Sequence, residues 1–295
     1  MTTDPPRLSV AIVGPGRAGT AVGAALARAG HRVLAVGGGS DQSRQQFVAH
    51  VAGARQFADP GDAVVDATLV VIAVPDDVLV EVVTDLAVRN RFREGTSVVH
   101  LSGALGLEPL RRATLVGCRT AALHPAQTLT LDPFDPEALI GAAWAVTARE
   151  GDRAWARELV TQLGGDPHDV GDDVRVLYHA ALALGSNVVG AAVAMARQLL
   201  LAARVDDPAA FLEPLVDASV SNAMRAGAKA VTGPVARADV GTLAAHLRAI
   251  DHDVPHLGAA YRAMQRAVAD VVAPSLTDQQ AQAIRELLTE MPEDT

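Results

Sequence analysis

The chain has 295 residues, enough for two domains of ordinary size. Apolar residues make up 49% and aromatic ones 3%, so the core has to be built from Ala, Val and Leu. A net charge of −9 argues against an extended nucleic-acid surface, and the single cysteine, Cys118, excludes an internal disulfide and a multi-cysteine metal site. The opening residues lack the basic-then-apolar layout of a secretory signal. The longest apolar region, Ala180 to Ala203, is interrupted by Ser186, Asn187, Arg197 and Gln198 and reads as a buried helix. The expectation is a soluble, cytoplasmic protein without a membrane or nucleic-acid partner.

The first element is the stretch Leu8 to Gly30. Its opening run is apolar and β-branched, as in a buried parallel strand. Gly14, Gly16 and Gly19 follow as G-x-G-x-x-G, then an Ala-rich segment of helix length and a second strand, His31 to Val36. In this setting the first glycine makes the turn, the second admits a pyrophosphate and the third lets helix and strand pack closely. The helix N-terminus then faces the phosphates, with Arg17 and Ala18 in the binding loop. The second strand ends in Gly37, Gly38 and Gly39, where an NAD site commonly carries an acid. Ser40, Ser43 and Arg44 follow and suit the 2′-phosphate of NADP. Asp41 leaves NAD as the alternative. Ser40 or Asp41 also suits the N-cap of a helix over 42–51.

Thr68 to Val74 reads as a buried strand ending at Pro75-Asp76-Asp77, the start of a helix to about Val88. Val74 and Pro75 are expected over the cofactor, with Asp76 and Asp77 as helix-start charges. A fifth strand, Ser97 to Leu101, runs into Ser102-Gly103. Thr114 to Leu123 reads as a sixth and leads into His124-Pro125-Ala126-Gln127-Thr128. Ligands of open α/β sheets bind at this carboxyl edge. His124, expected on a rigid bend before Pro125, is the candidate proton donor, with an unperturbed pKa of about 6.5. Ser102 is a second catalytic candidate, and Gln127 and Thr128 are substrate contacts. The alternative is that His124 only caps a strand end. His100 reads as a packed core residue. A strand from Ala142 to Thr147, a helix to Leu163 and a strand near Pro167 to Val170 complete the sheet.

From Gly171 the strand signals stop and helices are expected over 172–204, 208–230, 240–251, 255–272 and 277–291. The boundary therefore separates 1–170, a dinucleotide-binding domain, from 171–295, a helical substrate and dimerisation domain. His179, Ser186 and Asn187, at i, i+7 and i+8, share a helix face, and so do Ser219, Asn222, Ala226 and Lys229. Lys229 is the only lysine among 25 Lys and Arg residues, and lysine, unlike arginine, can lose its charge when desolvated. Thr232, Arg237 and Asp239 follow in a loop that suits either an ion pair or a substrate carboxylate.

The segments VGPGRAG, VVIAVPDD, HLSG, LHPAQT, the helix with His179 and Ser186-Asn187, and TGPVARAD together resemble a family that joins a Rossmann-like half to a helical domain of unknown function. The resemblance runs from Leu8 to about Leu288. Ala238 stands where that family's T-G-P-x-x-R-G-D pattern has glycine. More distantly, the layout is similar to ketopantoate reductases, pyrroline-5-carboxylate reductases and β-hydroxyacid dehydrogenases, with a helical part like the C-terminal domain of 6-phosphogluconate dehydrogenase. The resemblance implies a doubly wound parallel sheet followed by an all-α domain. It also implies NADP-dependent reduction of a small 2-oxo acid, ketopantoate leading. A homodimer through the C-terminal helices is expected on separate grounds, because their Ala, Gly and Val faces are too extensive for one small helical domain to cover. An imine reductase of the pyrroline-5-carboxylate type and a non-catalytic NADP sensor are the alternatives. The Lys-x-x-x-Asn pair of the hydroxyacid enzymes is absent, since Ala183 stands four before Asn187. The catalytic set expected on this basis is His124, Ser102, Asn187, His179 and Lys229, with Asn222, Thr232, Arg237 and Asp239 beside Gln127 and Thr128 on the substrate.

Overall fold

The alternating strand and helix signals of the first half form one eight-stranded sheet in a computed structural model that describes residues 7–132 and 134–289. The elements are β1 (Ser9–Val13), α1 (Arg17–Arg28), β2 (Arg32–Gly37), α2 (Asp41–His50), β3 (Arg55–Phe57), α3 (Pro60–Ala63) and β4 (Leu69–Ile72). Then come α4 (Asp76–Val88), β5 (Ser97–His100), α5 (Arg111–Leu115), β6 (Arg119–Pro125), β7 (Ala143–Ala148), α6 (Glu150–Gln162) and β8 (Asp166–Asp169). Strand order is β3-β2-β1-β4-β5-β6-β7-β8, parallel throughout except where β7 runs antiparallel to β6. That exception follows from the connection: among the described residues no helix intervenes between β6 and β7, so the chain turns back instead of crossing over.

β1 shows why the strands read as continuous apolar runs. Val10 and Ile12 pack on one face with Ala21, Val22, Ala25 and Leu26 of α1, while Ala11 and Val13 join Leu79, Val83 and Leu86 of α4 on the other. A strand covered on both faces has no polar alternation. The sixth strand starts later than expected. Thr114 and Leu115 still belong to α5, whose hydroxyl back-bond from Thr114 to Leu110 O (3.2 Å) closes a helical turn, and pairing begins at Arg119. His124 and Pro125 also lie inside β6, opposite Ala145 and Trp144, so the expected bend is a strand end extended by the antiparallel partner.

The rest of the chain is helical: α7 (Arg175–Ala183), α8 (Val189–Ala202), α9 (Pro208–Ala226), α10 (Val240–Asp253), α11 (Gly258–Val272) and α12 (Asp278–Thr289). Met291, where the last helix was expected to end, lies outside the described residues. The chain separates into two compact units, Met1–Ser186 and Asn187–Thr295. Composition changes at 171, yet α7 still belongs to the sheet unit, because Arg175 anchors it there. A wide π turn over 184–188 separates α7 from α8. This extra-wide turn begins after His179 and contains Asn187, so the 3.6-residue count that put them on one face does not apply.

Helix 172–202 has a mean hydropathy of 1.5 over its most apolar window and is long and apolar enough to cross a membrane. The expected burial of its second half is corrected by the structure: α8 contains no buried residue, and Val188, Val189 and Leu201 are exposed in the single chain. In the second unit the core forms instead from Val235, Leu243 and Leu247 with Val272, Ile284 and Leu288.

Ala238 adopts a left-handed backbone, with φ of +54°, at the position where a glycine was expected. An L residue pays for its Cβ there, offset partly by the greater freedom of an unfolded glycine. Ala238→Gly is therefore expected to stabilise the second unit by about 0.5–1 kcal/mol, read by denaturant unfolding.

Candidate functional site

The glycine turn shapes one end of the carboxyl edge of the sheet. Gly14 holds φ at +101°, and a Cβ there would lie 2.5 Å from Ala73 O. A Cβ on Gly19 would lie 2.1 Å from Gly14 O, so only glycine allows α1 to sit this close to the turn. Gly16 differs: nothing lies within 4 Å of its Cβ position. It is the N-cap of α1 and offers no capping side chain, and the first turn carries no acid. The open N–H groups and Arg17 therefore face a pocket of about 460 Å³ lined by Gly16, Ala18, Val74, Pro75, Leu101, His124 and Gln127. A phosphate-bearing dinucleotide fits this cradle.

The end of β2 is arranged differently from expectation. Arg44 is buried, and its guanidinium donates to Gly38 O (2.9 Å), Gly39 O (2.7 Å) and the Asp41 carboxylate. It ties down the glycine loop from beneath instead of presenting a free cation. Ser40 N-caps α2 by accepting from Ser43 N (3.1 Å), and the Ser43 hydroxyl donates to Ser40 O (2.8 Å). Ser40 is exposed at the loop surface, and its hydroxyl donates to Ser43 Oγ (3.2 Å).

Beyond the pocket, four elements of the first unit converge. The Ser102 hydroxyl donates to Asp76 (2.8 Å) and accepts from Leu105 N (3.0 Å). Asp76 is thus more than a helix-start charge. His100, fully buried, accepts from Ser102 N (3.1 Å) at Nδ1, so its Nε2–H donates to Gly106 O (2.7 Å). His124 Nδ1 lies 3.0 Å from the Tyr178 hydroxyl, and its ring meets those of Tyr178 and His179 edge-on at 5.7 and 5.8 Å. Gly103 allows this crowding, because a Cβ there would lie 2.5 Å from His179 and 2.9 Å from His124 Nε2.

Arg175 lies beneath the cluster and is fully buried. It donates to Ser102 O (2.5 Å) and to Thr147 Oγ1 (2.8 Å), its Nε has no partner, and among the described residues no carboxylate pairs with it. Burial, with the Arg175 cation and the His179 ring nearby, holds His124 down at about 4. His100 is held at about 4 chiefly by burial. Both imidazoles are neutral at pH 7, so His124 is not the near-neutral acid expected from its unperturbed value. Burial pushes the Tyr178 phenol up, and Arg175 pulls the other way.

The first unit therefore brings together Ser102, His124 and His179 from the expected set. Sequence reasoning missed Tyr178 and Arg175 and underrated Asp76 and His100. The available signal was that Tyr178, one of two tyrosines in the chain, stands next to His179. Gln127 is exposed and donates to Ala138 O (3.2 Å), while its own side chain accepts from Thr128 N (2.8 Å).

The remaining candidates belong to the second unit. Asn187 and Lys229 are exposed. Lys229 does not share a face with Ser219 and Asn222, because α9 ends at Ala226 and Gly227 turns the chain with φ of +56°. Asn222 accepts from Arg225 (2.5 Å). Asp239 caps α10 through Thr242 N (3.0 Å) and the Thr242 hydroxyl (2.7 Å), so its carboxylate is occupied locally; Thr232 and Arg237 are exposed.

Against known families, residues 2–125 match the Rossmann-like domain and residues 142–268 match the domain of unknown function DUF2520. The chain joins a Rossmann-like domain to DUF2520. No curated protein matches it. Among solved structures, a Bacteroides fragilis protein assigned as an NADP oxidoreductase superposes with a TM-score of 0.78 at 20% identity, covering 90% of this chain and 98% of that one. A Myxococcus stipitatus imine reductase in complex with NADP+ gives 0.63 at 17% identity, over 95% and 100% of the chains. Plasmodium falciparum pyrroline carboxylate reductase with NADP bound gives 0.57 at 11% identity, over 96% and 98%. At these identities the likeness establishes the fold of the Rossmann-like/DUF2520 chain.

Proposed function

We propose that the chain is an NADP-dependent oxidoreductase that reduces the carbonyl of a small 2-oxo acid, with ketopantoate the leading candidate. The observation that carries the cofactor is the glycine cradle at the N-terminus of α1, open at Gly16 and backed by a β2 end without an acid. The three structural neighbours, whose names each carry NADP, support the same reading. A bound reduced nicotinamide supplies the hydride. The chain's own residues orient the substrate at the edge formed by Val74, Pro75, Leu101 and His124, and hold the charge that develops on its oxygen.

One feature favours a carbonyl over the imine alternative. Among the described residues Arg175 is a buried cation without a carboxylate partner, in the cluster that His124 brings to the pocket. Its field stabilises an oxygen gaining negative charge and opposes a cationic iminium. The exposed apolar residues of α8 and α9, including Leu201, Phe211 and Leu215, are read as the face of a homodimer.

Ser40→Asp tests the cofactor reading, since aspartate caps a helix as well as serine does and brings a carboxylate to the proposed 2′-phosphate site. NADPH binding is expected to weaken about 10- to 100-fold, the scale of a lost charge-assisted hydrogen bond, while NADH binding holds. Equal weakening of both, measured by fluorescence titration, contradicts the assignment. NADPH oxidation against a panel of 2-oxo acids and cyclic imines then separates reductase from imine reductase and from a sensor without turnover.

A further inference from the structure

Carbonyl reduction leaves negative charge on oxygen. A group that is protonated at neutral pH, and whose proton is not already committed, has to neutralise it. His124 does not qualify, because an imidazolium there would face Arg175 and His179 from α7. Ser102 does not qualify either: its proton is held by Asp76, and an alkoxide would face that carboxylate. His100 is sealed in the core with both nitrogens engaged.

We propose that Tyr178 is the proton donor of the reaction, with His124 as its hydrogen-bond partner and Arg175 as the fixed cation that stabilises its phenolate. This rests on the reductase reading above. The Tyr178 hydroxyl lies 3.0 Å from His124 Nδ1, and His124 lines the pocket. Arg175 stands three residues earlier on the same helix, one turn away and on the same side. The charged and titratable groups around the pair are Arg175 and His179 from α7, Asp76 from α4, His100 from β5, and Asp172 just before α7. Burial keeps the phenol protonated at neutral pH, while Arg175 lowers the cost of the phenolate once the proton has left.

In the step, the Tyr178 O–H bond breaks and its proton passes to the substrate oxygen as the carbonyl π pair becomes a lone pair. The step takes His124 as the Nδ1–H tautomer, which leaves the Tyr178 proton uncommitted and lets the phenolate accept a hydrogen bond from Nδ1–H; a solvent proton restores the phenol. Tyr178 is half-buried and His179 beside it is exposed, so solvent has a route.

Because the chain has only two tyrosines, the phenol of Tyr178 can be read by itself. Tyr261 belongs to the second unit, where its hydroxyl pairs with His246. In full-length Tyr261→Phe, ultraviolet phenolate titration reports Tyr178 alone, and adding Arg175→Met is expected to raise its midpoint by about one pH unit or more. Tyr178→Phe in the otherwise natural chain is expected to bind NADPH within about twofold of wild type while kcat falls ~100-fold or more. If wild type binds NADPH and Tyr178→Phe keeps kcat within about threefold, Tyr178 is not the donor and the reductase reading stands. If wild type binds no NADPH, the reading beneath the proposal fails. An unmoved phenolate midpoint in Arg175→Met overturns the role given to Arg175.

Discussion

Gly19→Ala is expected to cost the chain its NADPH binding and to destabilise the first unit. The added Cβ would lie 2.1 Å from Gly14 O, 3.1 Å from Ala73 Cβ and 3.2 Å from Ile12 Cγ2. The first of these is backbone held by the turn itself, so no flexible side chain can swing aside, and α1 has to move away from β1. Overpacking of this kind costs about 1–3 kcal/mol. The larger effect falls on the site. Displacing α1 takes its first-turn N–H groups off the phosphate position, and a misplacement of about 1 Å is enough for a ~100-fold loss. Gly16→Ala is the internal control, because its Cβ meets nothing within 4 Å and the fold should keep its melting temperature. Fluorescence titration with NADPH and thermal melting check both variants. Wild-type affinity in Gly19→Ala would mean that close helix–strand packing does not build this cradle.

Mild acid is expected to destabilise the first unit, and the cause is the pair of suppressed histidines. His100 and His124 are lowered from 6.5 to about 4, in both cases with burial as the leading cause. The unfolded chain takes up these protons as pH falls through 6.5, while the folded chain resists until about 4. Stability is therefore full above neutrality and is lost between those values. Each histidine costs roughly 2 kcal/mol on going from pH 7 to pH 5. Two together lower the melting temperature by on the order of 10 °C. His100→Gln keeps a donor and an acceptor in the same place and should remove about half of this dependence. Melting curves at the two pH values read the effect directly, and a melting temperature that does not change with pH would contradict neutral burial of these rings.

Local chemistry made much of the first unit legible in its sequence. The β1–turn–α1 unit follows from an apolar run, three glycines at fixed spacing and an Ala-rich helix, all within about two dozen neighbouring residues. Helix starts were readable for the same reason, since Ser40 caps α2 and Pro75 precedes α4. Where two local readings competed, the outcome was set elsewhere in the fold. The apolar residues after Thr114 suit a strand as well as a helix end, and the pairing of β6 with β5 from Arg119 onward decided between them. Arg44 stands where a phosphate-binding cation was expected, yet carbonyls of its own loop claimed its guanidinium.

What the sequence by itself determined is the list of elements and the place of the glycine cradle, because backbone preference and hydrophobic period act over a few residues. The reactive cluster was decided only by the tertiary structure. Tyr178 is 54 residues from His124, and Arg175 is 28 from Thr147 and 73 from Ser102, distances that no period spans. The chemistry of those groups depends on the packing as well. His124 is an ordinary histidine in the sequence, and it becomes a neutral, hydrogen-bonded ring only where folding removes its water and sets Arg175 nearby, since an imidazolium is stable only where solvent or an opposite charge supports it.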